Sequence, residues 1–310
     1  MMLRILSVAV NTFREAVRDR VLYGMLGMAC CFEFFALGLG EMALDQGERV
    51  VLDIGLSALS LFSVLVSVFL GSSLLYKEIE RKTLYVILPK PLRRHEFLLG
   101  KYFGIVLTAV VFVCLTAAMQ VGVAALQAGL SALSALTGVA VLAGAFAVVM
   151  RFARDRTAAV VPWSLVVLAT ALGLAAQTPL SLTPVVGAVT LVVGEVVLLT
   201  AVAMLFSAFS TPFLSALFTC GVWLVGRSAD TMATMRSRSV PDVVKGALRE
   251  LSRVWPNFHL FVPGRHTLSQ ALGPEAGPLS YVGTTMLYAL AYAGVLLFVS
   301  ALIFRRRDFL

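Results

Sequence analysis

Eight apolar runs dominate the chain, at 21–40, 54–76, 101–128, 132–150, 158–176, 184–206, 211–227 and 279–304. A bilayer's hydrocarbon core is about 30 Å thick and takes roughly 20 residues of helix to cross. Inside lipid the backbone must satisfy its own hydrogen bonds, so runs of this length are helices. The fold class expected is all-α: a polytopic helical membrane protein with about eight transmembrane helices, forming a single transmembrane domain over residues 1–310. Composition agrees, with 59% hydrophobic and 14% charged residues and a mean hydropathy of +0.92. The polar segments are too short to hold a sizeable soluble domain.

Charge sets the expected orientation. Lys and Arg concentrate on the cytoplasmic side of membrane proteins. Basic residues cluster in the N-terminal stretch (Arg4, Arg14, Arg18, Arg20), in 77–101, in "RFARDR" and in the tail "RRRDFL", whereas "EMALDQGERVVLD" holds four acids and one Arg. An even number of spans then puts both termini in the cytoplasm. The first 20 residues carry Ile5, Val8, Ala9, Thr12, Phe13, Ala16 and Val17 at helical spacing, with the arginines largely elsewhere. They read as an amphipathic helix lying at the membrane surface, and no small-residue cleavage site marks a signal peptide.

Residues 228–278 fall outside by this count although they carry six basic residues, Arg236, Arg238, Lys245, Arg249, Arg253 and Arg265. "PDVVKGALRELSRVW" repeats Val244, Ala247, Leu248, Leu251 and Trp255 on one face, which predicts an amphipathic helix on the outer membrane surface. The run at 211–227 is short, so a re-entrant element is an alternative to a full span there.

Catalytic and metal chemistry find little support. "GVWLVGRS", Gly221 to Ser228, formally resembles a phosphate-binding loop, but Arg227 replaces the lysine and no strand precedes it. His259 and His266 supply only two ligands where zinc wants three or four. Cys30, Cys31, Cys114 and Cys220 sit within apolar runs and behave as small hydrophobes. The reading is a non-enzyme with no metal site and no cofactor of its own.

Two acids fall inside spans: Glu33 in "CCFEFFALG" and Glu195 in "LVVGEVVLLTA". Charge at membrane depth is costly, so such groups face the bundle interior. Each is either a substrate or proton site or an interhelical hydrogen bond that fixes packing.

The stretch "YKEIERKTLYVILPKPLRRHEFLLGKYFG", 76–104, holds seven Lys or Arg and three Glu. From Lys77 to Leu88 it predicts a short amphipathic helix, stopped by "PKP" before the next span begins. Here the sequence resembles the membrane subunits of type-2 ABC exporters, in the branch of the copper-enzyme-maturation and gliding-motility permeases. Glu78, Glu80, Thr83, Leu88, Pro89, Arg94, Phe97, Gly100 and Lys101 carry the resemblance, joined by "NTFREAVRDRVLY", "LFSAFSTPFLSALFT" and "IFRRRDF". The family core has six spans, so the runs at 132–176 stand as an extra pair, and Lys82 occupies a position where the family often has Gly.

The resemblance implies a permease of the bacterial inner (cytoplasmic) membrane, multi-pass, paired as a homodimer with a second copy. Residues 1–20 become an interfacial elbow helix and 77–100 a cytoplasmic coupling loop. That loop would dock on a separate cytosolic ABC ATPase subunit, present in two copies, which binds the ATP and Mg. The docking residues implied are Glu78, Glu80, Arg81, Thr83, Tyr85, Ile87, Leu88, Arg93 and Arg94. No nucleic acid partner is expected. A proton-coupled secondary carrier using Glu195 or Glu33 and a non-transporting membrane scaffold are the alternatives.

Overall fold

The computed structural model describes residues 2–43, 46–80, 93–153, 155–229, 246, 250, 255–261 and 278–306. Among them there is no strand. The helices are α1 (Met2–Val17), α2 (Arg20–Met42), α3 (Gly47–Glu80), α4 (Arg94–Gln127), α5 (Ala132–Phe152), α6 (Arg156–Ala175), α7 (Leu182–Ser207), α8 (Pro212–Arg227) and α9 (Pro278–Arg306), with a 3-10 turn at Phe258–Phe261. The chain is a multi-pass helical membrane protein: seven of these helices, α2 to α7 and α9, are long and apolar enough to cross a bilayer.

The eighth expected span is the exception. α8 has 16 residues, about 24 Å at 1.5 Å per residue, short of a 30 Å core. Thr211 precedes Pro212 at its first turn, where a missing N–H costs nothing. Its far end is met by Trp255–Phe261, which comes back into the bundle: Trp255 Nε1 donates to the Val222 carbonyl at 3.0 Å, and Phe258 and Phe261 are buried. Gly226 and Gly194 make room for this return, since a Cβ on either would lie within 3 Å of Phe258 or Phe261 ring atoms. Of the amphipathic helix expected over 241–255, nearly all lies outside the described residues, but its last residue, Trp255, belongs to this inserted piece.

Burial ranks the helices. About four-fifths of the most apolar stretch of α7 is buried (78%), and two-thirds in α3 and α4 (67% each), against 0% in α5 and 11% in α6. α3, α4 and α7 are the core, and α5 and α6 are peripheral. α4 turns into α5 through Gly129, whose φ of +99° is a left-handed cap. Leu130 N–H reaches back to the Ala125 carbonyl and Gly129 N–H to that of Leu126.

α1 packs against the beginning of α4. It runs alongside α4 in the same direction: Arg4 faces Glu96 at 3.9 Å, Val8 faces Gly100, Thr12 faces Gly104, and Phe13 and Val17 pack with Val111. The buried face, Ala9, Thr12, Phe13, Ala16 and Val17, is the one read from periodicity. "GKYFG" permits the contact, because a Cβ on Gly104 would come within 2.6 Å of the Ala9 carbonyl oxygen.

Candidate functional site

Glu195 is the most enclosed charged group in the described bundle, with no exposed surface. Two helices, α3 and α8, supply its partners. Ser60 Oγ on α3 donates to Oε2 at 2.8 Å. From α8, Trp223 Nε1 donates to Oε1 at 2.8 Å and Arg227 Nη1 to the same oxygen at 2.9 Å. Arg227 Nη1 also lies 3.3 Å from Ser60 Oγ, and its guanidinium stacks on the Trp223 ring 5.2 Å from the centroid. Trp223 and Arg227 are four apart, hence one above the other on one helix face.

The depth of this cluster follows from counting. Ser60 is 60 − 47 = 13 residues into α3 and Glu195 is 195 − 182 = 13 residues into α7, each about 20 Å from the helix start. Both residues lie within stretches long and apolar enough to cross a core of about 30 Å, where charge survives only if matched. α8 starts beside the end of α7 and stops at this level, so its C-terminal turn delivers the cation to the buried acid. The cluster binds three helices together and has no net charge. Sequence reading singled out Glu195 and missed Ser60, Trp223 and Arg227. The available signal was Arg227 itself, a cation in an apolar run that needs an acid of similar depth.

Glu33 is treated oppositely. It lies on the inward stripe of α2 with Ala29, Ala36 and Gly40, is 1% exposed, and neither carboxyl oxygen has a partner.

A second polar concentration surrounds the ends of the segment joining α3 to α4. α3 continues as one helix to Glu80, so Lys77–Glu80 extend the span rather than begin a separate helix, and Glu78 and Glu80 belong to that extension. Arg81, Thr83, Tyr85, Ile87 and Leu88 lie outside the described residues. At the other end Arg93 N–H donates to Glu96 Oε2 at 3.1 Å, which closes the first turn of α4. Arg94 Nη1 donates to the Arg305 carbonyl of α9 at 3.1 Å. Lys101, 1% exposed, donates to the Leu74 carbonyl of α3 at 3.0 Å and faces Glu15 of α1 at 4.0 Å. Ser207 Oγ, in the last turn of α7, reaches the Ser72 carbonyl at 3.4 Å. The beginning of α1 and the end of α9 therefore lie at the same end of the bundle as the α3–α4 connection. Nearby, Arg14 of α1 bonds Asp155, the residue that caps α6. Those contacts hold the Asp155 carboxyl down to about 2, first through Arg14 and then through Thr157.

Among the described residues no group of three or more His, Cys, Asp or Glu could hold a metal ion. No protein-family model matches the chain, and no curated protein matches it.

Proposed function

We propose that this chain is the membrane-embedded permease subunit of an ATP-driven ABC exporter in a bacterial inner membrane, with both termini cytoplasmic and hydrolysis performed by a separate ATPase. The observation that carries the reading is the convergence of five helix ends on the basic 77–100 segment. α1, α3, α4, α7 and α9 are cross-tied there by Arg4, Lys101, Arg94 and Ser207. A loop that receives force from a soluble motor needs a stiff base, and main-chain carbonyls held by the buried Lys101 and by Arg94 supply one. The motifs of "YKEIERKTLYVILPKP" give the docking face: Tyr85, Ile87 and Leu88 as apolar anchors, with Glu78, Glu80, Arg81, Thr83, Arg93 and Arg94 as a polar rim. The chain itself carries no nucleotide site and performs no catalysis in this reading. A homodimer gives the exposed spans a partner and supplies two docking loops for two ATPase copies.

The test is co-purification with the ATPase and transport-coupled hydrolysis. Tyr85→Ala or Leu88→Ala removes an anchor worth about 2 kcal/mol, roughly a 30-fold loss of affinity, while Arg93→Ala costs less and acts mainly at low salt, where a rim charge is least screened. If deletion of residues 79–88 leaves the ATPase bound and stimulated, the reading fails. A proton-coupled carrier is the second reading. Glu195 argues against it, because its charge is already matched by Arg227. Glu33, with unpartnered oxygens, favours it.

A further inference from the structure

Glu33 occupies a level that can be fixed by register. Gly40 of α2 and Gln127 of α4 meet at one end, where a Cβ on Gly40 would lie 3.5 Å from Gln127 Cδ. Both helices run away from the end that holds α1, so seven residues back on each, two turns, Glu33 and Gln120 share a level. The apolar clusters agree. One joins Ala29 to Leu59, Phe62, Phe112 and Val113. The other joins Leu37 to Val51, Leu52, Val121 and Ala124. Glu33 lies between them, at a break in otherwise continuous hydrophobic packing.

That break is a polar layer in which no donor reaches Glu33. Gln120 is fully buried and lies flat on α3 because residue 55 is glycine; a Cβ there would come within 1.7 Å of Gln120 Oε1. Its Nε2 donates to the Val51 carbonyl at 3.1 Å, which leaves Oε1 unpartnered. Thr116, one turn away, spends its hydroxyl on the Phe112 carbonyl at 2.8 Å. Three acceptor oxygens, both of Glu33 and Oε1 of Gln120, thus lack a hydrogen. Between Arg20 and Met42 of α2, Val51 and Leu74 of α3, and Tyr102 and Gln127 of α4, the other titratable groups are Tyr23, Cys30, Cys31 and Glu41, then Asp53, then Tyr102 and Cys114. The only cation in those stretches is Arg20, at the start of α2.

We propose that this layer is an intramembrane proton-binding site, in which Glu33 carries a proton at neutral pH and its O–H is donated to Gln120 Oε1. One proton removes the charge that burial forbids and supplies a hydrogen for Gln120 Oε1. A carboxyl held this way takes up and releases a proton whenever the α2–α3–α4 interface loosens, so its ligand is the proton itself rather than a metal or an organic substrate. The site belongs to this chain alone and does not require the ATPase.

Infrared difference spectroscopy of the isolated, reconstituted chain tests it, since no reagent need reach Glu33. The spectrum of the wild type minus Glu33→Gln at about pH 7 should contain the carbonyl stretch of a protonated acid, with at least about tenfold less carboxylate than acid. Gln120→Leu should move that band toward the position of an acid that donates no hydrogen bond. Glu33→Asp should shift the band rather than abolish it, which covers a Gln variant that fails to assemble. A carboxylate signal at neutral pH, with the acid band appearing only below about pH 5, overturns the proposal. An acid band present in choline but lost in sodium also overturns it, by making the layer a metal-cation site. An unmoved band in Gln120→Leu refutes the assigned acceptor. Loss of ATPase binding in coupling-loop variants leaves all of these outcomes unchanged, so the two proposals fail separately.

Discussion

If Glu195 and Arg227 are a structural pair, removing both charges should cost less than the sum of removing each alone. Stranding one member of a buried ion pair costs about 3–5 kcal/mol. The two ends differ in burial: the Arg227 side chain is 30% exposed and that of Glu195 not at all. Arg227→Met leaves a carboxylate with only Ser60 and Trp223 as neutral donors, and should reach the full 3–5 kcal/mol. Glu195→Gln keeps an acceptor for Trp223 Nε1 and leaves a cation with some outlet, so about 2–3 kcal/mol is expected. The double variant Glu195→Gln/Arg227→Met has no unmatched charge, so its loss should fall short of the sum by about 2 kcal/mol or more, roughly 30-fold in the folding equilibrium. Denaturant unfolding in one fixed detergent, with all four proteins side by side, measures this. Additive losses would refute the pairing. A Glu195→Gln variant that assembles normally yet has lost ATP-driven transport would give the acid a role beyond packing.

Three further perturbations bear on other joints. Gly104→Ala should loosen α1 from α4 by about 1–3 kcal/mol through overpacking, seen as greater mobility of a spin label at exposed position 6; Gly144→Ala, in open space, should leave that label unchanged. Lys101→Met keeps the apolar stem but leaves the Leu74 carbonyl without its lysine donor, about 1–3 kcal/mol, and should speed proteolysis between α3 and α4; unchanged cleavage would remove Lys101 from the loop's base. The Arg14–Asp155 tie has a depressed folded pKa of about 2. Its contribution is therefore complete above the ordinary carboxylate value of about 4 and is lost as pH falls toward 2. A position-6 label should be released over that window, and Asp155→Asn should abolish the pH dependence.

Periodicity made most of the helices legible, because an apolar run long enough to cross a bilayer has little alternative to being helical. The buried face of α1 was equally plain, but the helix it packs against was not. An apolar stripe does not name its partner, and Gly100 and Gly104 on α4 are what admit α1. For α8 the sequence left a span and a re-entrant element both open, because apolar composition does not encode where a helix stops relative to the membrane. Its partner at mid-depth, Phe258–Phe261, carries only a short apolar sequence, "FHLF". The Glu195 cluster was half readable: an acid in an apolar run signals a partner, but partners 28, 32 and 135 residues away depend on three-helix packing that spacing along the chain does not reveal.

The two intramembrane acids are held at similar depth on different faces of the same helix, and the contrast between them follows from what α3 and its neighbours offer. Toward α7 and α8, α3 presents Ser60, a donor, and α8 ends there with a cation, so Glu195 can stay ionised in a neutral cluster that locks α3, α7 and α8. Toward α2 and α4, α3 presents Gly55, which has no side-chain donor and admits the Gln120 amide, one hydrogen of which is committed to the Val51 carbonyl. An ionised Glu33 on that side has no donor in contact with either oxygen, and a neutral one supplies a hydrogen to Gln120 Oε1. Ionisation of Glu33 would weaken α2 against α3 and α4 while leaving the Glu195 cluster intact. The protein thus has a fixed joint on one side of α3 and a proton-sensitive one on the other, and α3 leads directly into the segment proposed to meet the ATPase.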